Sequence, residues 1–261
     1  MFNAIKKLFS KQKRAMVYYG QNISYDKLEG IEYIIVQPDY IDTTEKQFLN
    51  FTDNIYAYVS IGEISKNVKE YKKIHQDWII AKNDNWDSEV LDIRNKDYQK
   101  FLFDEIIDPI ISLGFKNLFF DTLDSYNLAA TTKQEKMEFE LTLVNLIEKI
   151  HSSYPEAKLI LNRGFEIIDR VPNYIQAVLF ESYYFGLGSE VGTYIKISDS
   201  DREWLDIQIE MIKHLGIDII ALDYLDELNM EQAAEAIEII KKSGMIPYIS
   251  NRNLDIYGRS L

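Results

Sequence analysis

The sequence predicts an α/β protein built as a single (β/α)8 barrel. Three observations carry that prediction. Eight short apolar runs recur along the chain, separated by helix-like segments whose lengths suit crossovers between parallel strands. The chain has 261 residues, close to the roughly 250 such a barrel needs. An open doubly wound sheet would show fewer strands and a glycine-rich phosphate turn, yet no G-x-G-x-x-G or P-loop motif occurs.

Taken in order, the first strand is expected at Met16 to Tyr19, closed by Gly20. The second spans Ile31 to Gln37, and Pro38-Asp39 ends it because proline has no N–H to continue a ladder. The third, Ile55 to Ile61, runs into Gly62-Glu63. Residues 64–92 show no clear period and carry Trp78, Trp86 and an Asp/Asn cluster, so a long irregular cleft wall is expected there. Asp97 to Leu113 reads as a helix with Pro109 as a kink or restart. The fourth strand is the run Leu118-Phe119-Phe120, apolar throughout, as in a strand covered on both faces; it stops at Asp121.

Thr131 or Thr132 then caps a helix reaching about Ile150, with Glu135 placed for a capping box. Met137, Leu141, Val144 and Ile147 are expected on its inward face. The fifth and sixth strands follow at Lys158 to Leu161 and Tyr174 to Phe180, the seventh and eighth at Asp218 to Leu222 and Met245 to Ile249. Helices over Asp199 to Leu215 and Met230 to Lys242 link the last three. Leu113-Gly114 stands to Asp121 and Asp124 as Leu215-Gly216 stands to Asp223 and Asp226, so two βα units share one design. No linker appears. Residues 1–14 are expected as a basic leader, with Phe2, Ile5, Leu8 and Phe9 at helical spacing, and residues 15–261 as the barrel. The leader lacks the apolar core and cleavage site of a signal peptide, and no run reaches the roughly 18 apolar residues of a transmembrane segment.

Composition narrows the partners. Acids exceed bases by 42 to 29, a net charge of −13, which disfavours nucleic acid and anionic lipid and favours a cationic or neutral ligand. The absence of cysteine excludes disulfides, a thiolate nucleophile and thiolate metal ligands. The 3 histidines, His75, His151 and His214, lack ligand spacing, so neither a metal nor another cofactor is expected. The aromatic share of 13%, with 18 Tyr and 3 Trp, suits both packing and the flat faces of sugar rings.

In a barrel every strand points the same way, so the strand ends meet around one rim. Here they are Tyr18 and Tyr19, Gln37 and Asp39, Glu63, Asp121, Asn162 and Arg163, Glu181, Asp223, and Asn251. That many carboxylates at one mouth need a metal, a shared proton or a cationic ligand. A glycosidase needs one carboxyl protonated and one ionised beside the scissile bond. A metal-dependent hydrolase or enolase-type lyase would want His ligands or a strand-end Lys base, and no strand end carries either. A non-catalytic sugar-binding barrel would keep the aromatics without needing paired acids.

The motifs Tyr58-Val59-Ser60-Ile61-Gly62-Glu63, Phe119-Phe120-Asp121-Thr122-Leu123-Asp124-Ser125-Tyr126, Asn162-Arg163-Gly164-Phe165-Glu166, Glu181-Ser182-Tyr183-Tyr184 and Leu222-Asp223-Tyr224 stand in this order at strand ends. Together they resemble the endo-α-1,4-polygalactosaminidase group of glycoside hydrolases, including its biofilm-exopolysaccharide members, over about Met16 to Asn253. The resemblance implies a TIM-barrel hydrolase that cuts α-1,4-linked galactosamine or N-acetylgalactosamine polymers with retention at the anomeric carbon. It implies Asp121 and Glu181 as the catalytic pair. It places Tyr18, Glu63, Asn162, Arg163, Tyr183, Asp223 and Tyr224 in the sugar subsites, and Asp124, Tyr184 and Asn251, near the same strand ends, are expected there as well. Members of the group are usually exported, whereas this sequence shows no convincing export signal.

The reading is therefore an endo-acting glycosidase on a cationic or neutral amino-sugar polysaccharide, with a catalytically inactive barrel binding the same polymer as the alternative. Asp121, on a short stem at the end of a rigid strand, is expected as nucleophile, kept ionised by Asn162 and Arg163. Glu181, among Phe180, Tyr183 and Tyr184, is expected as the acid. Retention requires the two carboxyls roughly 5–5.5 Å apart, against about 6.5–9.5 Å for inversion.

Overall fold

Sequence periodicity translates into eight short strands that are buried along nearly their whole length. In the computed structural model, which describes residues 12–260, they are β1 (Ala15–Tyr18), β2 (Tyr33–Val36), β3 (Ile55–Ser60), β4 (Asn117–Asp121), β5 (Leu159–Asn162), β6 (Ile175–Glu181), β7 (Asp218–Tyr224) and β8 (Ile246–Ser250). They hydrogen-bond in chain order and all run parallel. β8 packs back against β1, and the Tyr19 N–H donates to the Leu254 carbonyl at 2.6 Å, so the sheet nearly closes on itself. The result is the predicted (β/α)8, or TIM, barrel. Runs such as Tyr-Ile-Ile-Val in β2 are β-branched and apolar because both strand faces are covered, one by the barrel interior and one by helices.

The long helices are fixed by their ends. In α1 (Lys133–Ser153) the Thr132 hydroxyl accepts from the Glu135 N–H at 3.1 Å while the Glu135 carboxylate accepts from the Thr132 N–H at 2.9 Å. Those backbone bonds hold the Glu135 carboxyl down to about 2. Ser198 caps α2 (Asp199–Leu215) and Gly216 ends it in the left-handed region, at φ +74°, where a side chain would be strained. Gly114, its counterpart in the repeated βα design, also has positive φ, +102°. Asn229 caps α3 (Met230–Lys242).

Two expectations need correction, and two further elements add to what the sequence showed. Met137 and Leu141 of α1 are exposed, and the helix packs instead through Phe139, Leu143, Val144, Leu146, Ile147 and Ile150. Leu143 and Phe139 are four residues apart, so the buried stripe is rotated from the expected one. Residues 64–92 do wall the cleft but are irregular only in part: 66–78 hold turns and short 3-10 helices, whereas Glu63–Ser65, Ser88–Leu91 and Ile79–Asn83 form a three-stranded antiparallel sheet in that order. The helix before β4 is composite, α-helical over Lys96–Phe101, π-helical over Leu102–Ile107 and α-helical again over Asp108–Ser112, with Pro109 in the first turn of the restart. After β6 an antiparallel hairpin of Phe185–Leu187 and Tyr194–Lys196 was not anticipated. Residues 1–11, most of the expected leader, lie outside the described residues. Among the described residues no helix is long and apolar enough to cross a membrane.

Candidate active site

Side chains alternate across a strand, so only every second residue at a barrel strand's end faces the mouth. Val17 and Tyr19 of the first strand, Phe119 and Asp121 of β4, Leu179 and Glu181 of β6, and Leu222 and Tyr224 of β7 line one cleft of about 1300 Å³. Tyr58 and Ser60 of β3 and Asn162 of β5 join them.

At its centre the Asn162 Nδ2 donates to Asp121 Oδ1 at 2.7 Å and to Glu181 Oε1 at 3.4 Å. One amide nitrogen thus bridges the two acids, and those oxygens stand no further apart than the two contacts laid end to end. Asp121 also accepts from the Tyr58 hydroxyl at 2.8 Å and from the Thr122 N–H at 2.8 Å. Glu181 Oε2 accepts from the Tyr224 hydroxyl. Burial pushes the Asp121 carboxyl up, opposed by its bonds from Asn162, Tyr58 and the Thr122 amide. Burial also pushes Glu181 up, and the neighbouring Asp121 charge adds to it, while Tyr224, Asn162 and the Arg163 charge pull the other way. Burial makes it costly for both carboxyls to be ionised at once, and the Asp121 charge adds to that cost at Glu181. Burial first, and then both acids, push the Tyr19 phenol well up, which keeps it neutral.

The surrounding loops are built to hold this geometry. The Thr122 hydroxyl accepts from the N–H groups of Ile61 at 3.1 Å and Gly62 at 2.9 Å, tying the end of β3 to the end of β4. A Cβ on Gly62 would collide with the Thr122 carbonyl, so only glycine allows this approach. Thr122 and Arg163, each directly after a site residue, have φ +63° and +56°, in the left-handed region. Glu63 is buried and accepts from Asn83 Nδ2 at 3.0 Å and from the Ser88 and Ser125 hydroxyls, which locks the antiparallel sheet onto the β4 loop. Arg163 donates to the Glu181 carbonyl at 2.7 Å and lies 4.0 Å from Asp124. Its charge therefore acts on Glu181, not on Asp121 as expected from sequence.

Of the expected subsite residues, Glu63, Asp124, Asn162, Arg163 and Tyr224 line the cleft with Asp121 and Glu181. Tyr18, Tyr183, Tyr184, Asp223 and Asn251 do not. Tyr18 has the opposite strand parity from Tyr19; it stacks on Tyr257 at 4.7 Å and donates to the Asn22 carbonyl at 3.0 Å. Tyr183 donates to Asp206 at 2.8 Å, Tyr184 donates to Glu235, and Asn251 donates to Asp255 at 2.6 Å. Asp223 is fully buried between Leu222 and Tyr224, pointing away from the cleft they line. Tyr19, Tyr58, Trp86 and Trp204 also line the cleft; the sequence placed Tyr19 at a strand end, Tyr58 in a strand-end motif and Trp86 in an expected cleft wall but assigned none of them to a subsite, and it gave no sign of Trp204. The parity of Tyr19 and Tyr58 with Asp121 was the available signal for the first two. Both tryptophans are exposed, Trp86 in the turn of the antiparallel sheet and Trp204 on α2. Among the described residues no group of three or more His, Asp or Glu is placed to hold a metal.

The sequence profile of glycoside-hydrolase family GH114 matches residues 35–261. The chain belongs to this family. It is accordingly a glycoside hydrolase, and its cleft is where that chemistry is to be sought. The glycoside hydrolase domain of PelA from Pseudomonas aeruginosa shares the GH114 chain's fold with a TM-score of 0.85 at 24% identity, covering 95% of this chain and 98% of that one. Ega3 from Aspergillus fumigatus, solved in complex with galactosamine, superposes with a TM-score of 0.69 at 14% identity, covering 96% and 94%. No match is found among curated protein sequences.

Proposed function

We propose that this GH114 enzyme cleaves α-1,4-linked galactosamine polymers, partly or wholly N-acetylated, from within the chain and with retention. The observation that carries the reading is the Asn162 amide bridging Asp121 and Glu181 at 2.7 and 3.4 Å. Oxygens that share one donor at these lengths fit the short separation of a retaining pair better than the about 6.5–9.5 Å of an inverting one. The galactosamine found with Ega3 points to the sugar. The cleft is long enough to carry Trp86 and Trp204 as well as the acids, which suits a polymer threaded across it.

Roles follow from the hydrogen bonds. Asp121 accepts three, which favour its ionised form, and it attacks the anomeric carbon. Glu181 sits beside that negative charge and holds the proton, which it passes to the glycosidic oxygen as the bond to the leaving sugar breaks. In the second step Glu181, now ionised, takes a proton from water, whose oxygen displaces Asp121 and restores both groups.

The test is release of reducing ends from the polymer, with the anomer followed by NMR. Glu181→Gln is expected to lose about 10²–10⁴-fold on polymer, and Asp121→Asn at least as much. On an aryl glycoside whose leaving group needs no proton, the first step survives Glu181→Gln but not Asp121→Asn. Azide then rescues Glu181→Gln with a glycosyl azide of retained configuration. Retention of polymer without any reducing ends would make this a binding barrel, and a retained azide product from Asp121→Asn would exchange the two roles.

A further inference from the structure

One buried charge remains without a part in this chemistry. Asp223 has no exposed surface and points away from the cleft, so it cannot touch sugar. Its Oδ1 accepts from the N–H of Tyr183 at 2.7 Å and of Tyr184 at 3.2 Å, and its Oδ2 from Tyr184 at 2.9 Å and Phe185 at 2.8 Å. Three consecutive backbone amides thus converge on one carboxylate, the arrangement by which a backbone nest holds an anion. Those amides begin two residues after Glu181. On the other side β7 pairs with β6 so that Leu222 lies opposite Glu181, which puts Asp223 one residue past the point where the acid leaves the sheet.

We propose that Asp223 positions Glu181: its carboxylate pins the chain immediately after the general acid and so fixes where the proton is delivered. The inference rests on Glu181 being that acid. A carboxylate suits the task because it accepts on both oxygens, whereas an amide would turn N–H groups toward N–H groups. The remaining holds on the loop act further out. Tyr183 is tied to Asp206 and Ser243, Tyr184 to Glu235, and the Ile197 N–H donates to the Tyr184 carbonyl at 2.9 Å. Besides its pairing with Leu222, the Glu181 backbone is held by Arg163, which donates to its carbonyl. Without Asp223, the three amides of a buried segment lose their acceptor together, and the segment must shift to find others.

The experiment compares Asp223→Asn with the unaltered enzyme on two substrates. On polymer, kcat is expected to fall about 10²-fold, the scale of an ångström-sized misplacement of a catalytic group, with KM little changed. On an aryl glycoside with a nitrophenol leaving group, the first-turnover burst needs no acid and stays near the unaltered rate. Adding Asp223→Asn to Glu181→Gln costs nothing further on polymer. Equal loss on both substrates, or added loss in the Glu181→Gln background, overturns the proposal.

A measurement on the unaltered protein guards against a variant that fails to fold. Burial pushes the Asp223 carboxyl up to about 6, against the amide bonds and the Arg202 charge. The other charged groups facing the loop are Glu181 on β6, Lys196 over the Tyr184 ring, Asp206 on α2 and Glu235 on α3. The backbone amides of Tyr183, Tyr184 and Phe185 should therefore titrate together in ¹⁵N spectra, while that of Gly186 should not. Amides that move independently, or not at all between pH 4 and pH 8, leave no clamp. If the unaltered protein releases no reducing ends, the glycosidase reading falls by itself, and the amide titration still decides whether Asp223 holds the loop.

Discussion

A carboxylate buried beside another destabilises the folded chain whenever both are charged, and this ties the stability of the protein to its proposed catalytic pair. Asp121 and Glu181 both have folded pKa values raised above their unfolded ones, each chiefly by burial. The folded protein therefore keeps its protons to higher pH than the unfolded chain. That contribution is complete below the unfolded value of about 4 and is lost as pH rises through the folded values. Asp121→Asn and Glu181→Gln remove the penalty, and the Tyr58 and Tyr224 hydroxyls can turn to accept from the new amides. Each variant is expected to be more stable than the unaltered enzyme at pH 7, by on the order of 1 kcal/mol or about 2–4 °C in melting temperature, while losing activity. Calorimetry at pH 4 and pH 7 checks this; a gain at pH 4 as large as at pH 7 would show that the charges are not its source. At this scale the sequence was legible for the acids and half legible for their neighbours. Asp121, Glu181, Asn162 and Arg163 all stand where strands stop, and that was visible in the apolar runs. Tyr18 and Asp223 were misjudged because a one-residue shift along a strand reverses its face, and the run Met-Val-Tyr-Tyr gives no polar residue from which to count parity.

The elements that could be read from the sequence are those whose ends carry their own chemistry. Asp199–Leu215 and Met230–Lys242 match the expected helices residue for residue, the first between Ser198 and Gly216 and the second after Asn229. The antiparallel sheet over 63–91 had no such marks. Its strands are three to five residues long, its pairing joins Glu63 to Val90 across the chain, and one strand carries a bulge between Ile79 and Ala81. The Asn83 turn closes the hairpin of Ile79–Asn83 and Ser88–Leu91 locally, with the Asn85 N–H donating to the Asn83 side chain at 3.2 Å; the third strand is tied in through the buried Glu63, bonded to Asn83, Ser88 and Ser125. This sheet is the element that gives the barrel a wall, and it carries Trp86 into the cleft with the Arg252 guanidinium 5.7 Å from the ring centroid. An exposed indole there offers a sugar ring a flat apolar face without touching the reacting bond. Trp86→Ala should therefore raise KM for polymer about tenfold, the equivalent of on the order of 1.4 kcal/mol, and leave kcat nearly unchanged, as loss of uniform binding does. A fall in kcat at unchanged KM would place Trp86 in the chemistry and not in the hold on the polymer.

Across the whole molecule, parallel strands sort charge as well as side chains. Lys116 and Lys158 directly precede β4 and β5, at the end of the barrel opposite the cleft, where both reach Asp53. At the mouth acids dominate: eight line the cleft against three bases, Lys69, Arg163 and Arg252. Lys69 is itself paired with Asp39 at 3.0 Å and Glu70 at 3.6 Å, which leaves its charge largely answered. The net charge of −13 was plain in the composition, but its concentration at one rim depends on which strand ends face which way and so only appears with the fold. A concave surface of one sign draws in a polymer of the other, and the galactosamine chain is cationic wherever it lacks acetyl groups. Salt shortens the reach of that attraction from about 10 Å at 0.1 M to about 3 Å at 1 M. The kcat/KM for a largely deacetylated polymer is thus expected to drop about tenfold over that range, through KM and the association rate, while a fully acetylated polymer of the same length responds little. Steady-state rates on the two polymers across the salt series decide it. Equal salt sensitivity would mean that the acidic rim keeps the protein soluble and has no part in choosing the substrate.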